Sequence, residues 1–315
     1  MSVTIDRQLL LLVGGVLGVL VVASVAGAIL QRRARSAAAR ATVANLNARV
    51  GAWWVMCALF ALAVLTRGVG SLVLFGLASF LALREFMTLA PTRPGDHRSL
   101  LWAFFVITPL QYVLVGFGWY GWFSIMIPVY AFLLIPVRNA IAGDSERFME
   151  RTAVVQWGLM VCVYNISYAP ALLGLRIPGY AHQNTKLLLF LVIVVQASDV
   201  LQYVWGKSLG KHKIAPRISP NKTWEGFVGG ITCATLLGGA LWWATPFNPL
   251  QALGMAFAVT LMGFAGGLVM SAVKRDRGVK DYGELIPGHG GVLDRIDSLC
   301  FAAPVFFHLA RYFFA

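Results

Sequence analysis

Charge is scarce in this chain. Only 12% of its 315 residues are charged, and the acids number thirteen. That is too little polar surface for a water-soluble fold of this size, which excludes the soluble globular class. Cysteine is sparse as well. Cys57, Cys162, Cys233 and Cys300 sit inside apolar runs and form no CxxC pair, so they read as small hydrophobes in a bilayer. Also missing are a P-loop, an internal repeat, a low-complexity tract and an appended soluble domain.

Apolar sequence is what the chain has in abundance, at 58% hydrophobic residues and a mean hydropathy of +0.73. Its apolar runs are each about long enough to cross a hydrocarbon core of roughly 30 Å. Candidate spans are 9–30, 52–66, 69–83, 99–118, 120–137, 153–175, 186–205, 227–245, 250–273 and 297–314. The expected fold is therefore an all-α, polytopic transmembrane bundle. It has ten spans, or nine if the short pair around Arg67-Gly68 is a re-entrant hairpin. The first run, Leu9 to Leu30, is too long for a signal-peptide core and is followed by Arg32, Arg33 and Arg35, so it reads as a retained span.

The net charge of +13 need not mean nucleic acid, because cytoplasmic loops of membrane proteins are basic. With the N-terminus outside, loops 31–50, 84–98, 138–152, 206–226 and 274–296 face inward. They then hold all 26 Lys and Arg residues except Arg7, Arg67, Arg176, Lys186 and Arg311. One missed span would scramble that asymmetry. Both large polar loops thus face the cytoplasm, where their excess charge suits anionic lipid or a phosphate-bearing substrate. The sequence divides into an N-terminal transmembrane region, 1–185, and a catalytic transmembrane region, 186–315.

The chemistry concentrates in two stretches. The first is QASDVLQYVWGKSLGKHKIAPRISPNKTWEG, residues 196–226. Asp199 lies within its span, roughly 10 Å below the loop at 1.5 Å per residue. A carboxylate there costs about 2.5–3.5 kcal/mol, so it should face a polar cavity and hold a partner. Lys207, Lys211, Lys213, Arg217 and Lys222 follow, and Ser219-Pro220-Asn221-Lys222-Thr223-Trp224-Glu225-Gly226 leads rigidly into the next span. Lysines and glycines in this pattern suit a polyphosphate.

The second stretch is SAVKRDRGVKDYGELIPGHGGVLDRIDS, residues 271–298. Asp281, Asp294 and Asp297 stand among Lys274, Arg275, Arg277, Lys280 and Arg295, as where Mg²⁺ is held by a few acids plus substrate phosphates. Asp294 and Asp297 are three apart and share one helix face, with Arg295 elsewhere on the turn. Gly288-His289-Gly290-Gly291 is a hinge with one titratable side chain. Asp276, Arg277 and Glu284 read equally well as ordinary loop ion pairs. A metal-and-phosphate site at the membrane surface brings a soluble polyphosphate to a lipid head group, for direct phosphoryl or nucleotidyl transfer.

Residues 196–298 resemble the phosphatidate cytidylyltransferases, or CDP-diacylglycerol synthases. The resemblance rests on Ser271, Lys274, Arg275, Lys280, Asp281, Gly283, Pro287, His289, Gly290, Gly291, Asp294, Arg295 and Asp297. Upstream it extends to Asp199, Tyr203, Gly206-Lys207, Gly210-Lys211-His212, Ser219-Pro220 and Lys222-Thr223-Trp224-Glu225-Gly226. It implies formation of CDP-diacylglycerol and pyrophosphate from CTP and phosphatidate, with Mg²⁺ and room for a second cation. It further implies Asp199, Asp281 and Asp294 as metal ligands, with Lys280, His289 and Arg295 completing the catalytic set. Lys207, Lys211, Ser219, Lys222, Lys274, Arg275, Gly290 and Gly291 would bind substrate. A homodimer in the bacterial cytoplasmic membrane, without nucleic acid, is the implied setting.

One departure is Gln202, where the family more often has Ala before the Tyr203 position. It leaves room for a paralogue using a related phospholipid. The rival readings are a CTP-dependent lipid or polyprenol kinase, a transporter, and a scaffold with a degenerate site. A transporter would be expected to carry intramembrane ionisable groups in both halves, and the other spans lack acids comparable to Asp199, with Glu85 already at a loop edge.

Overall fold

Within lipid the backbone can satisfy its N–H and C=O groups only internally, so long apolar runs become helices. The structure, a computed structural model, describes residues 6–34, 36–286 and 290–315. Ten helices follow one another among them. The first three are α1 (Arg7–Arg33), α2 (Ala37–Leu65) and α3 (Arg67–Thr88). Next come α4 (Pro94–Gly116), α5 (Tyr120–Ile141), α6 (Phe148–Gly174) and α7 (Asn184–Leu209). The last three are α8 (Trp224–Ala240), α9 (Pro249–Asp276) and α10 (Leu293–Phe314). All but α8 and α10 are long and apolar enough to cross a membrane by length and composition. The chain is an integral, polytopic helical membrane protein.

The helices match the ten expected spans, with three differences. First, α2 begins at Ala37, inside what reads as a loop, because its polar start is rich in alanine, the best helix former. Second, α2 and α3 are each long enough to cross alone, so the short hairpin becomes two full spans. Third, α7 continues through Leu209, which puts Gly206 and Lys207 in its last turn, where a cation complements the helix dipole.

Between α7 and α8 the rigid polar turn proves to be a small antiparallel hairpin of β1 (Lys213–Ala215) and β2 (Ser219–Thr223). Lys213 pairs with Thr223 and Ala215 with Ser219. Glu225 pins it to α8 by accepting the amides of Lys211 and His212 and a contact from His212 Nδ1 at 2.6 Å.

Helices α7, α8, α9 and α10 pack on one another. Without a hydrophobic driving force between spans, small residues let backbones meet. A Cβ on Gly230 of α8 would stand 2.6 Å from the Gln202 backbone of α7, and one on Gly238 would stand 2.3 Å from Ala256 of α9. Gly206, Gly210 and Gly226 likewise close around Thr223, whose hydroxyl caps α8 through the Gly226 amide. These glycines therefore serve close packing around the hairpin. Deeper in the bundle, Phe190 of α7 stacks on Phe306 of α10 with ring centroids 5.7 Å apart.

Candidate active site

Asp199 sits ten residues before the end of α7, which places it roughly 15 Å along the helix from that end. It is half-buried and turned toward α10, where the Ser298 hydroxyl donates to its Oδ1 at 3.0 Å. The same hydroxyl lies 3.5 Å from Asp297 Oδ1, which also accepts the Ser298 amide at 2.8 Å. Two carboxylates thus meet at one serine. They arrive on helices separated by about a hundred residues of chain, the Ser298–Asp199 separation being 99.

The Lys222 ammonium reaches the same point from β2. It lies over the Phe264 ring at 4.5 Å and donates to the Phe264 carbonyl at 3.4 Å. A Cβ on Gly267 of α9 would stand 3.0 Å from this ammonium and 3.4 Å from Ser298 Oγ, so glycine keeps the channel between them open. Burial lowers the Lys222 ammonium below its ordinary range, against the opposing pull of Asp199 and Asp297. Arg295 acts on Asp199 electrostatically. Its Nε is buried and meets no acceptor among the described residues.

A second cluster holds the glycine-rich segment in place. Asp294 Oδ1 accepts from buried Lys274 at 2.7 Å, and its Oδ2 accepts the amides of Tyr282 at 2.8 Å and Gly291 at 2.9 Å. Gly290 has φ +80°, and a Cβ there would press on Asp294 Oδ2 at 2.8 Å. Asp281 is exposed across Gly290 from Asp294, its Cβ 3.2 Å from that same position. Arg275 joins the two polar loops by donating to the Ile218 carbonyl at 3.2 Å and the Val279 carbonyl at 2.8 Å.

The expected residues therefore divide. Asp199, Lys222 and Arg295 converge, joined by Asp297, while Lys274, Asp294, Gly290 and Gly291 form the adjoining anchor. Lys207, in the last turn of α7, and Lys211 and Lys280, on the loops, are exposed, and Ser219 is half-buried on the hairpin. Lys207 lies 5.8 Å over the Tyr203 ring. His289, with Pro287 and Gly288, lies outside the described residues. Ser298 and Glu85 are the residues that sequence reasoning missed. Glu85 lies at the end of α3, and the only signal for it was a carboxylate beside an apolar run.

The match to known proteins follows the same ground. Residues 47–313 match the cytidylyltransferase family. The chain belongs to this family. Over 271 residues, 85% of this chain and 88% of the relative, it is 42% identical to the uncharacterized protein YnbB of Escherichia coli (strain K12). It is 44% identical over 120 residues to a phosphatidate cytidylyltransferase of Staphylococcus aureus (strain COL), covering 38% of this chain and 46% of that one. A phosphatidate cytidylyltransferase of Haemophilus influenzae is 39% identical over 182 residues, 54% of this chain and 61% of that one. The chain thus spans about half the length of the phosphatidate cytidylyltransferases it matches. In this member of the family the Gln202 amide turns back along α7 to donate to Ser198 Oγ at 2.8 Å, beside Asp199.

Among the described residues no three His, Cys, Asp or Glu side chains converge on one point. Two carboxylates and a hydroxyl do converge, at Asp199, Asp297 and Ser298. Hard oxygens in that number fit Mg²⁺, which usually keeps waters and takes its remaining ligands from substrate phosphates.

Proposed function

We propose that this protein transfers the cytidylyl group of CTP to phosphatidate, giving CDP-diacylglycerol and pyrophosphate. The observation that carries the reading is the meeting of Asp199 and Asp297 at Ser298, within reach of two cations, Lys222 and Arg295, that form no ion pair among the described residues. Carboxylates collected beside unpaired cations suit a ligand that brings both metal and phosphate. Their place below the membrane surface suits a lipid as one reactant.

In this reading an oxygen of the lipid phosphate attacks the α-phosphorus of CTP, and the bond from that phosphorus to the β-phosphate bridge breaks. The electron pair leaves on pyrophosphate, and no covalent enzyme intermediate is needed. Asp199 and Asp297 would hold Mg²⁺, while Asp281 stands exposed beside Gly290 and Asp294. Asp294, with each oxygen already engaged, secures the loop. Bound Mg²⁺ supplies neutralisation of phosphate charge. Lys222 and Arg295 position the phosphates and offset the charge that develops on the leaving group. Lys207, Lys211 and Lys280 ring the entrance, where they raise the local concentration of an anionic nucleotide. The same reading has these loops facing the bacterial cytoplasm and the protein acting as a homodimer.

A second reading is favoured by Gln202 beside Asp199 and by the longer match to YnbB than to the phosphatidate cytidylyltransferases. Here the chemistry is the same, but the acceptor is a related phospholipid.

The test is purified protein with CTP, Mg²⁺ and a panel of anionic lipids. Pyrophosphate release with phosphatidate supports the first reading, and release only with another phospholipid supports the second. Release of CDP, the mark of attack at the γ-phosphorus, would replace both with a kinase. Asp199→Asn should lower turnover by on the order of a hundredfold or more while the protein stays folded and inserted.

A further inference from the structure

We propose that Glu85, in the half of the chain that reads as a generic bundle, is a positioning residue that sets α10 in its catalytic place. The proposal rests on the functional reading above. Glu85 is 8% exposed. Its Oε1 accepts the Val292 amide at 2.9 Å and its Oε2 accepts the Leu293 amide at 2.8 Å. These are donors that the first turn of α10 cannot satisfy within its own helix. Both oxygens of this carboxylate thus face the positive end of the helix dipole, which favours its charge.

The signature loop is shaped around this carboxylate. A Cβ on Gly291 would stand 2.3 Å from Glu85 Oε2, and one on Gly283 would stand 3.0 Å from Oε1. The next residue of α3, Phe86, stacks on Tyr282 at 6.4 Å, and the Tyr282 amide in turn holds Asp294. The end of α3 therefore braces both arms of the loop.

Two consequences follow for the reaction. Asp297 and Ser298 ride one turn beyond the amides that Glu85 holds, so its grip fixes how they face Asp199. A helix N-terminus after a glycine-rich turn is also a ready seat for phosphate. Glu85 fills that seat with a carboxylate of the protein's own, and substrate phosphates are left to Lys222 and Arg295. Glu85 touches neither Asp199 nor Asp297 and acts only through α10.

The experiment compares Glu85→Ala and Glu85→Gln with wild type in the full chain. It measures pyrophosphate release, thermal stability, and hydrogen exchange at the Val292 and Leu293 amides. For Ala, kcat should fall about 10–100-fold with little change in the KM for CTP, and exchange at the two amides should quicken. Formate, which can occupy the emptied seat, should restore part of the lost rate. Gln keeps one acceptor and should fall between. A folded Ala variant with wild-type kcat overturns the proposal, as does a loss of rate that formate leaves unchanged. If Ala does not fold, Gln decides, and wild-type kcat and exchange in Gln overturn it. Should wild type release no pyrophosphate with any lipid, the functional reading fails. The exchange data then judge the Glu85 anchor alone, and unchanged exchange in the variants overturns it.

Discussion

Ser298 is the smallest group at the centre of the site, and it touches both acids. Its hydroxyl can donate only one proton, so it orients Asp199 rather than neutralising it. Removing a partner that orients a ligating carboxylate usually costs 10–100-fold. Ser298→Ala should therefore lower kcat by about that factor, a loss that raising Mg²⁺ partly recovers in a titration of rate against metal. The importance of Asp199 was legible in the sequence, because an acid inside an apolar run demands a reason. Its partner was not. A serine one residue after Asp297 has no pattern of its own, and only the packing of α7 on α10 gives it a role. Glu85 was illegible for a related reason. Its partners are backbone amides, which every residue but proline has.

At the scale of elements, the site depends on how closely α7 and α8 approach. Gly230 lies against the backbone of Gln202, 2.6 Å from where its own Cβ would be. Gly230→Ala must push the helices apart or strain them, at about 1–3 kcal/mol. A lower melting temperature in detergent should report this, together with a raised KM for CTP as the hairpin carrying Lys222 shifts. The helices themselves were largely legible, because hydropathy marks any stretch that lipid can surround. Their ends were less so. The helical start of α2 is polar, and the last turn of α7 carries Lys207, so neither follows hydropathy. The hairpin at 213–223 escaped because its strands are three and five residues long and mostly exposed.

For the whole molecule, a second ionic knot ties segments of the N-terminal half together. Arg151 is buried and reaches Asp96 at 3.3 Å and Asp144 at 3.1 Å, while Arg93 grips Asp144 at 2.9 Å. Partial burial pushes the Asp144 carboxyl up, but the Glu146 amide, Arg151 and Arg93 outweigh it and hold the group below its ordinary value. A carboxyl depressed in the folded state adds stability above its unfolded pKa and loses it as pH falls through the folded one. Thermal stability should thus decline on the acid side, below the usual carboxylate range. Arg151→Ala leaves Asp96 buried without its partner and should cost about 3–5 kcal/mol. Melting curves from neutral to acid pH test both statements, and Asp144→Asn should flatten the acid decline.

The contact between Glu85 and α10 joins residues 207 and 208 positions apart. During synthesis the ribosome finishes α3 long before it begins α10, and domains assemble broadly in that order. Until the last helix enters the bilayer, Glu85 has no amides to receive and Asp199 no serine to meet. A nascent chain that has not yet reached α10 would therefore lack both contacts, and the site could assemble only once that helix is in place.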